Sequence, residues 1–317
     1  MKKLLLAATL SLLASPALSQ DRVSVLLDWF VNPDHGPLII AQEKGYFAEE
    51  NLEVEITAPS DPSLPPKLVA AGEADIAISY QPQLHLQVAE GLPLVRIGTL
   101  VATPLNCLLV KAEGPIKSIA DLKGGKVGYS VAGVEEALMT AMLKPHGLTP
   151  DDIELINVNW SLSPAVMSGQ VDAVIGAFRN FELTQMRIEG VEGRCFYPEE
   201  EGVPVYDELI YVTNTKLVDP LNTRRDVLVR FLRATEKATQ YMINHPQETW
   251  EMFRATSAEL QDELNERAWF DTLPRFSLRP MALDHRRYAA FSEFLAENKL
   301  IDAPQTAADV AIDLGAE

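Results

Sequence analysis

The sequence has few cysteines, few basic residues and no long apolar run after its first twenty residues. Two cysteines among 317 residues are too few for a zinc cage or a disulfide scaffold, and no second histidine lies near His35 at ligand spacing. The 27 Lys and Arg are outnumbered by 45 Asp and Glu, so nucleic acid is not an expected partner. Dinucleotide, P-loop and nucleophile-elbow motifs are missing, and we expect no cofactor and no metal.

The two cysteines leave one question open. In an oxidising compartment Cys107 and Cys195 could pair. Cys107, however, lies in the apolar run 105–110, and a cysteine in such a run is typically a small buried hydrophobic residue. The sequence therefore favours an unpaired Cys107 and leaves the pairing open.

The first nineteen residues have the layout of a cleaved secretory signal. Lys2 and Lys3 precede an apolar stretch over 4–13, and small residues follow at 16–19. This order is typical of export, with cleavage near Ser19 or Gln20. Loss of the two lysines takes the formal charge from −18 to −20. We expect a monomer in the bacterial periplasm, with an extracellular location as the alternative.

One pattern of eleven residues occurs twice in the chain, and we call it the duplicated phrase. Residues 68–78 and 165–175 each read as the end of a helix, a glycine, an aspartate and a buried strand. The glycines, Gly72 and Gly169, are too far apart for a solenoid repeat, so the pattern indicates two similar α/β lobes. Two lobes enclose a cleft, and ligands favour such interfaces.

Alternating strands and helices predict a mostly parallel sheet in each lobe. Predicted strands lie at 23–27, 54–57, 76–80, 94–100, 127–130, 153–158, 173–177 and 209–213. After residue 222 the pattern is helical, with an apolar stripe that must pack on a lobe already formed. We expect residues 20–112 and 207–317 to form lobe 1 and residues 113–206 to form lobe 2. Two crossings between the lobes permit hinge closure.

The segment after the first predicted strand carries the most chemistry. Asp28, Trp29, Asn32 and His35 follow that strand within eight residues, at the edge where open α/β sheets place ligands. Trp29 offers a stacking surface, and Asp28 and Asn32 offer hydrogen-bonding groups for a planar heterocycle. The alternatives are that Asp28 or Asn32 caps the next helix and that Trp29 belongs to the core.

These residues resemble a known family. The run Asp28-Trp29 to His35, residues 41–47 with Gly45-Tyr46-Phe47, residues 72–75 and residues 204–209 are similar to substrate-binding proteins of ABC importers for the pyrimidine precursor of thiamine. The resemblance implies a two-lobed periplasmic binding protein of type II. It also implies an ABC permease with a cytoplasmic ATPase as partner.

The resemblance further implies a set of ligand-binding residues. In lobe 1 these are Asp28, Trp29, Asn32, His35, Tyr80 and Asp207, and in lobe 2 they are Phe178, Asn180 and Glu182. The carboxyl of Glu182 suits the donor and acceptor edge of an aminopyrimidine, with Trp29 and Tyr80 over the ring faces. Arg179 departs from the family, which usually has an aromatic residue near that position.

Several alternatives stay open. The ligand could be riboflavin, or a small sulfonate held by Arg179. The turn Ser130-Val131-Ala132-Gly133 could present N–H groups to an anion or could be a simple tight turn. A pyrimidine synthase using His35 is less favoured, since the fungal synthase of the wider family uses a cysteine-rich iron-binding segment that this sequence lacks. We expect a binding protein and not an enzyme.

Overall fold

A computed structural model describes residues 20–315. The predicted secretory signal at 1–19 lies outside the described residues. Within residues 20–315 the strands form two five-stranded sheets, β2-β1-β3-β10-β4 and β7-β6-β8-β5-β9. The strands are β1 (Asp21–Leu26), β2 (Leu52–Thr57), β3 (Ile76–Ser79), β4 (Leu94–Val101), β5 (Asn106–Lys111), β6 (Lys126–Tyr129), β7 (Glu154–Asn157), β8 (Ala173–Phe178), β9 (Gly193–Phe196) and β10 (Leu209–Asn214).

Helices flank both sheets. They are α1 (Gly36–Glu43), α2 (Tyr46–Glu49), α3 (Pro65–Ala71), α4 (Gln81–Ala89), α5 (Val134–Leu143), α6 (Leu162–Ser168), α7 (Glu182–Ile188), α8 (Arg224–Asn244), α9 (Pro246–Ala255), α10 (Glu263–Thr272), α11 (His285–Glu297) and α12 (Ala307–Val310). Across residues 20–315, none of them is both long enough and apolar enough to cross a membrane. The predicted two-lobed α/β architecture is confirmed.

The two lobes repeat one topology. In each sheet four strands run in one direction, and the fourth strand in the order, β10 or β5, runs antiparallel to both of its neighbours. The duplicated phrase occupies equivalent places, α3 to β3 and α6 to β8, with Gly72 and Gly169 in the left-handed conformation at the helix ends. Asp75 and Asp172 accept the backbone N–H groups of Ser24 and Lys126 on the adjacent strand. The repeated aspartate therefore joins strands and lies outside any ligand site.

The first crossing between the lobes lies earlier than the expected boundary at residue 112. Strand β5 pairs with β8 and β9 in the second sheet, so the chain crosses within residues 102–105. The apolar run 105–110 fits either sheet equally well, because hydrophobicity does not specify a partner strand. The return crossing lies just before β10, close to the expected position at 207.

The chain after β10 returns to the first lobe. On α8, Phe231 stacks on Phe47 of α2 at 5.4 Å between ring centroids, and Ala234 and Ala238 are buried. This is the apolar stripe whose four- and three-residue spacing required a partner. Its packing fixes the long C-terminal segment on lobe 1.

Cys107 and Cys195 form a disulfide, contrary to expectation, with Cα atoms 5.5 Å apart. Cys107 lies on β5 and Cys195 on the neighbouring antiparallel strand β9. The buried position expected for Cys107 is correct. The pairing was missed because β9 is a four-residue edge strand with no clear alternation of apolar residues.

Candidate functional site

A cavity lies between the lobes. The parallel strands of both sheets point their carboxyl ends toward it, since Trp29 follows β1, Tyr80 follows β3, and Val131 follows β6. Its lining consists of Asp28, Trp29, Asn32, Asp34, Tyr80, Pro82, Asn106, Val131, Val134, Glu135, Leu138, Leu162, Gly176, Phe178, Phe181, Glu182, Tyr206 and Glu208.

Asp28, Tyr80 and His35 form one hydrogen-bonded unit. Asp28 Oδ2 accepts the Tyr80 hydroxyl at 2.8 Å, and Asp28 Oδ1 lies 2.9 Å from His35 Nε2. The N–H of Asn32 donates to His35 Nδ1 at 3.3 Å, so the ring proton is on Nε2 and faces Asp28. His35 is fully buried and does not line the cavity. It holds Asp28, which in turn holds the Tyr80 ring at the cavity wall.

Trp29 forms a wall that both lobes share. Its ring packs edge-on against Trp160 of the second lobe, with centroids 4.4 Å apart, and 9 % of the residue is exposed. Asn32 also lines the cavity, but its Oδ1 accepts the N–H of Asp34 at 2.8 Å and caps the helical turn Pro33–His35. Both readings of Asn32, cap and cavity residue, therefore apply.

Glu135 supplies a carboxyl from the second lobe. Its Oε2 accepts the N–H groups of Ser130 at 2.6 Å and Val131 at 3.1 Å. The turn that could have bound an anion is thus occupied by the chain's own carboxyl group. Burial raises the pKa of Glu135 to about 8. Gly176 makes this arrangement possible, because any Cβ there would collide with the Glu135 carboxyl.

Glu182 lines the same side of the cavity, beside Phe178. Its Oε2 accepts the N–H of Phe178 at 2.7 Å, which ties the first turn of α7 to the end of β8. Burial is the main reason that the pKa of Glu182 rises to about 7, and the nearby carboxyl of Asp34 raises it further. Phe178 and Glu182, both predicted as ligand-binding residues, thus line the cavity.

Glu208 lies where the two crossings meet. Its Oε2 accepts the N–H groups of Leu105 at 2.5 Å and Asn106 at 2.8 Å. One carboxyl therefore joins the return crossing to the first crossing while lining the cavity. Burial raises its pKa to about 7.

Asn180 connects the lobes beside the cavity and does not line it. Its Nδ2 donates to Asp34 Oδ1 and to Thr272 Oγ1, each at 2.7 Å. Asp34 belongs to the loop after β1 and Thr272 ends α10, so both acceptors lie in lobe 1. We call this group of three residues, Asn180, Asp34 and Thr272, the latch. The latch therefore joins lobe 2 to lobe 1 by hydrogen bonds.

Asp207 and Arg179 are engaged elsewhere. The Asp207 carboxylate accepts the Thr99 hydroxyl at 2.8 Å and pairs with Arg287, outside the cavity. Arg179 forms a two-fold ion pair with Glu199 at 2.7 and 3.0 Å. Its guanidinium lies over the Tyr197 ring, 4.0 Å from the centroid. Arg179 is therefore not placed to bind a sulfonate in the cavity.

Sequence reasoning missed several lining groups, namely Asp34, Asn106, Glu135, Phe181, Tyr206 and Glu208. Neighbouring residues in extended chain point in opposite directions. Asp207 and Glu208 therefore could not both face the cavity, and the sequence offered no way to choose between them. Glu135 reads as an ordinary acidic residue in the first turn of a helix.

Comparison of the sequence with known proteins identifies a family and several relatives. The family model described as "NMT1/THI5 like" matches residues 32–249. The chain belongs to this family. A Haemophilus influenzae protein named as a thiamine biosynthesis protein is 51% identical over 304 residues, which cover 96% of this chain and 95% of that protein.

Other relatives of this NMT1/THI5-like protein differ in their names. The formylaminopyrimidine-binding protein of Halalkalibacterium halodurans is 36% identical, covering 83% of this chain and 77% of the relative. A Candida albicans protein named 4-amino-5-hydroxymethyl-2-methylpyrimidine phosphate synthase is 28% identical, covering 88% and 79%.

Solved structures agree on the fold. The alkanesulfonate-binding protein of Xanthomonas axonopodis pv. citri superposes with a TM-score of 0.71 at 14% identity, covering 94% of this chain and 99% of that one. At this identity the likeness extends to the fold alone. The architecture of this NMT1/THI5-like protein is that of periplasmic binding proteins.

Proposed function

We propose that this chain is the periplasmic solute-binding protein of an ABC importer and that it captures a 4-aminopyrimidine precursor of thiamine. The observation that carries the proposal is the cavity between the lobes, in which the rings of Trp29 and Tyr80 accompany carboxyl groups from both sides. An exocyclic amine donates hydrogen bonds to carboxyl oxygens, and a protonated carboxyl donates to a ring nitrogen. The name of the Halalkalibacterium relative supports the same ligand class.

The cavity lining also favours this ligand over the alternatives. Within residues 20–315, neither Lys nor Arg is among its lining residues, and an anionic sulfonate requires positive charge or several donors. Riboflavin remains the other candidate to be measured. We propose closure of the lobes as the capture step, because the latch and the contact of Trp29 with Trp160 both join lobe 1 to lobe 2.

We further propose that the protein binds without catalysis. His35 is fully buried, and both of its ring nitrogens have partners. A general base must reach the proton that it removes, and His35 is separated from the cavity by Asp28. Ligand recovered after prolonged incubation should therefore be chemically unchanged by mass spectrometry.

Calorimetry with formylaminopyrimidine, hydroxymethylpyrimidine, thiamine, riboflavin and a small alkanesulfonate tests the ligand class. We expect binding of the two aminopyrimidines to exceed that of riboflavin and the sulfonate. Trp29→Ala should weaken binding at least roughly tenfold, because aromatic stacking and burial together exceed about 1.4 kcal/mol. Tighter binding of riboflavin or the sulfonate would refute the ligand assignment.

Phe270→Ala is the matched control. Phe270 lies on α10, is 39 % exposed and does not line the cavity. Its removal should leave affinity nearly unchanged. Equal losses in the two variants would mean that affinity does not depend on the indole in the cavity.

Three further experiments test the export of the protein, its oligomeric state and its interaction with the importer. N-terminal sequencing of the exported protein should begin near Gln20, and gel filtration should give a monomer. The permease and its cytoplasmic ATPase are proposed from the family. Ligand-loaded protein should stimulate that ATPase more than ligand-free protein does.

A further inference from the structure

The cavity is rich in acceptors and acidic groups. Five carboxyl side chains line it, from Asp28, Asp34, Glu135, Glu182 and Glu208. Within residues 20–315 its lining contains no Lys, Arg or His. A ligand that fits this lining must bring donors, and a positive charge would be matched on several sides.

One of these carboxyl groups has a vacant acceptor. Asp34 Oδ1 accepts from Asn180, whereas Asp34 Oδ2 is buried and has no hydrogen-bond partner among the described residues. Asp34 is 2 % exposed. A buried acceptor without a partner is costly in free energy, and such an atom in a cavity wall indicates a ligand donor.

Acidic groups of opposite lobes lie close together at the cavity. Asp34 of lobe 1 repels the carboxylate of Glu182 in lobe 2 and so raises its pKa. Asp28 and His35 lie on the loop of Asp34, and Glu135 lies near Glu182. Two such carboxylates cannot both stay ionised in a closed, water-poor site without a proton or a cation between them.

The lining suits an organic group better than a metal ion. In the described part of the chain, no three acidic, histidine or cysteine side chains come together in an arrangement that could hold a metal ion. The rings of Trp29, Tyr80 and Phe178 line the same cavity, and aromatic faces favour flat or cationic organic groups.

We propose that the cavity takes its ligand as a planar heteroaromatic amine protonated on a ring nitrogen, with Asp34 and Glu182 as its counter-charges. This inference rests on the proposed function and specifies the ionic form of the ligand. When the ligand is neutral in solution, the O–H bond of a cavity carboxyl breaks and a ring N–H bond forms. The products are a carboxylate and a cation, and no proton is exchanged with water.

The first test uses 4-amino-2-methylpyrimidine labelled with ¹⁵N in the ring. Its spectrum is recorded free and bound, roughly one pH unit above the point at which the free ligand loses its ring proton. We expect one bound ring nitrogen at the chemical shift of the protonated form. A bound spectrum that matches the neutral ligand overturns the inference and leaves the proposed function intact.

Variants identify the counter-charge. Asp34→Asn keeps the side-chain shape and removes the charge beside the vacant acceptor, so the bound ring nitrogen should return toward its neutral shift. Glu73→Gln removes an exposed acidic residue and should leave the shift unchanged.

The second test does not depend on a pyrimidine. Benzamidine is cationic at neutral pH, and benzamide is its neutral analogue of similar shape. Benzamidine should bind at least roughly tenfold more tightly, as expected for charge-assisted hydrogen bonds. If an aminopyrimidine binds, the NMR measurement decides whether the bound ligand is protonated. Where none binds, the proposed function fails, and the benzamidine preference alone decides this inference: its presence supports a cation site and its absence overturns it.

Discussion

Glu135→Gln should stabilise the ligand-free protein at neutral pH. In the folded protein burial raises the pKa of Glu135 to about 8, from an ordinary value of 4.5. The folded state therefore holds this proton more tightly than the unfolded state does. The stabilising contribution is fully present below pH 4.5 and is lost as the pH rises toward 8.

The size of this stability difference follows from the pH range over which Glu135 has lost its proton in the unfolded state but keeps it in the folded state. Each pH unit above 4.5 costs the folded state about 1.4 kcal/mol, so about 3 kcal/mol is lost by pH 7. Gln has no proton to release and keeps an oxygen that accepts from Ser130 and Val131. The variant should thus be more stable than wild type by about 3 kcal/mol at pH 7 and by less than about 1 kcal/mol at pH 5.

Urea unfolding of the ligand-free protein, followed by tryptophan fluorescence between pH 5 and 8, measures the difference. Glu73→Gln, at an exposed site, should follow the wild-type pH dependence. If Glu135→Gln shows the same pH slope as wild type and is less stable at pH 7, Glu135 is ionised in the folded protein. The account of the acidic cavity would then be wrong.

Three further predictions concern other parts of the molecule. Replacing both Cys107 and Cys195 by Ala should lower the free energy of unfolding by about 4.5 kcal/mol, from the chain entropy of a closed loop of this length; reductant should destabilise wild type similarly and leave the variant unchanged. Gly176→Ala should weaken ligand binding at least roughly tenfold, because the new Cβ displaces Glu135 and the positive φ of this residue strains alanine; retained affinity in calorimetry would contradict this. Asn180→Ala should shift the ligand-free protein toward an open form with a larger radius of gyration by small-angle scattering, and an unchanged radius would show that the latch does not hold the lobes.

The sequence was most informative where one local pattern determines structure. Apolar patterning predicted eight of the ten strands, but it did not predict β5 or β9. The duplicated phrase predicted that the two lobes are similar. The loop from Asp28 to His35 was correctly placed at a strand end, since strand polarity fixes which edge a following loop occupies.

The pairing of strands that lie far apart in the chain could not be predicted from the sequence. The sheet to which β5 belongs, and hence the disulfide to Cys195, depends on partner strands that hydrophobicity does not name. The same limit explains the site. Asp207 was chosen although Glu208 faces the cavity, because the side of the chain on which a residue lies depends on a register that a crossing segment does not reveal.

The disulfide has a consequence for how the lobes move. Cys107 lies next to Asn106, the first residue of β5, and so the covalent bond begins where the first crossing ends. Any rotation on that side must be absorbed by residues 102–105, since the strand beyond them is cross-linked to its neighbour. Oxidation therefore adds a covalent bond to the backbone hydrogen bonds that hold β5 in its sheet, and it anchors the end of the first crossing to lobe 2.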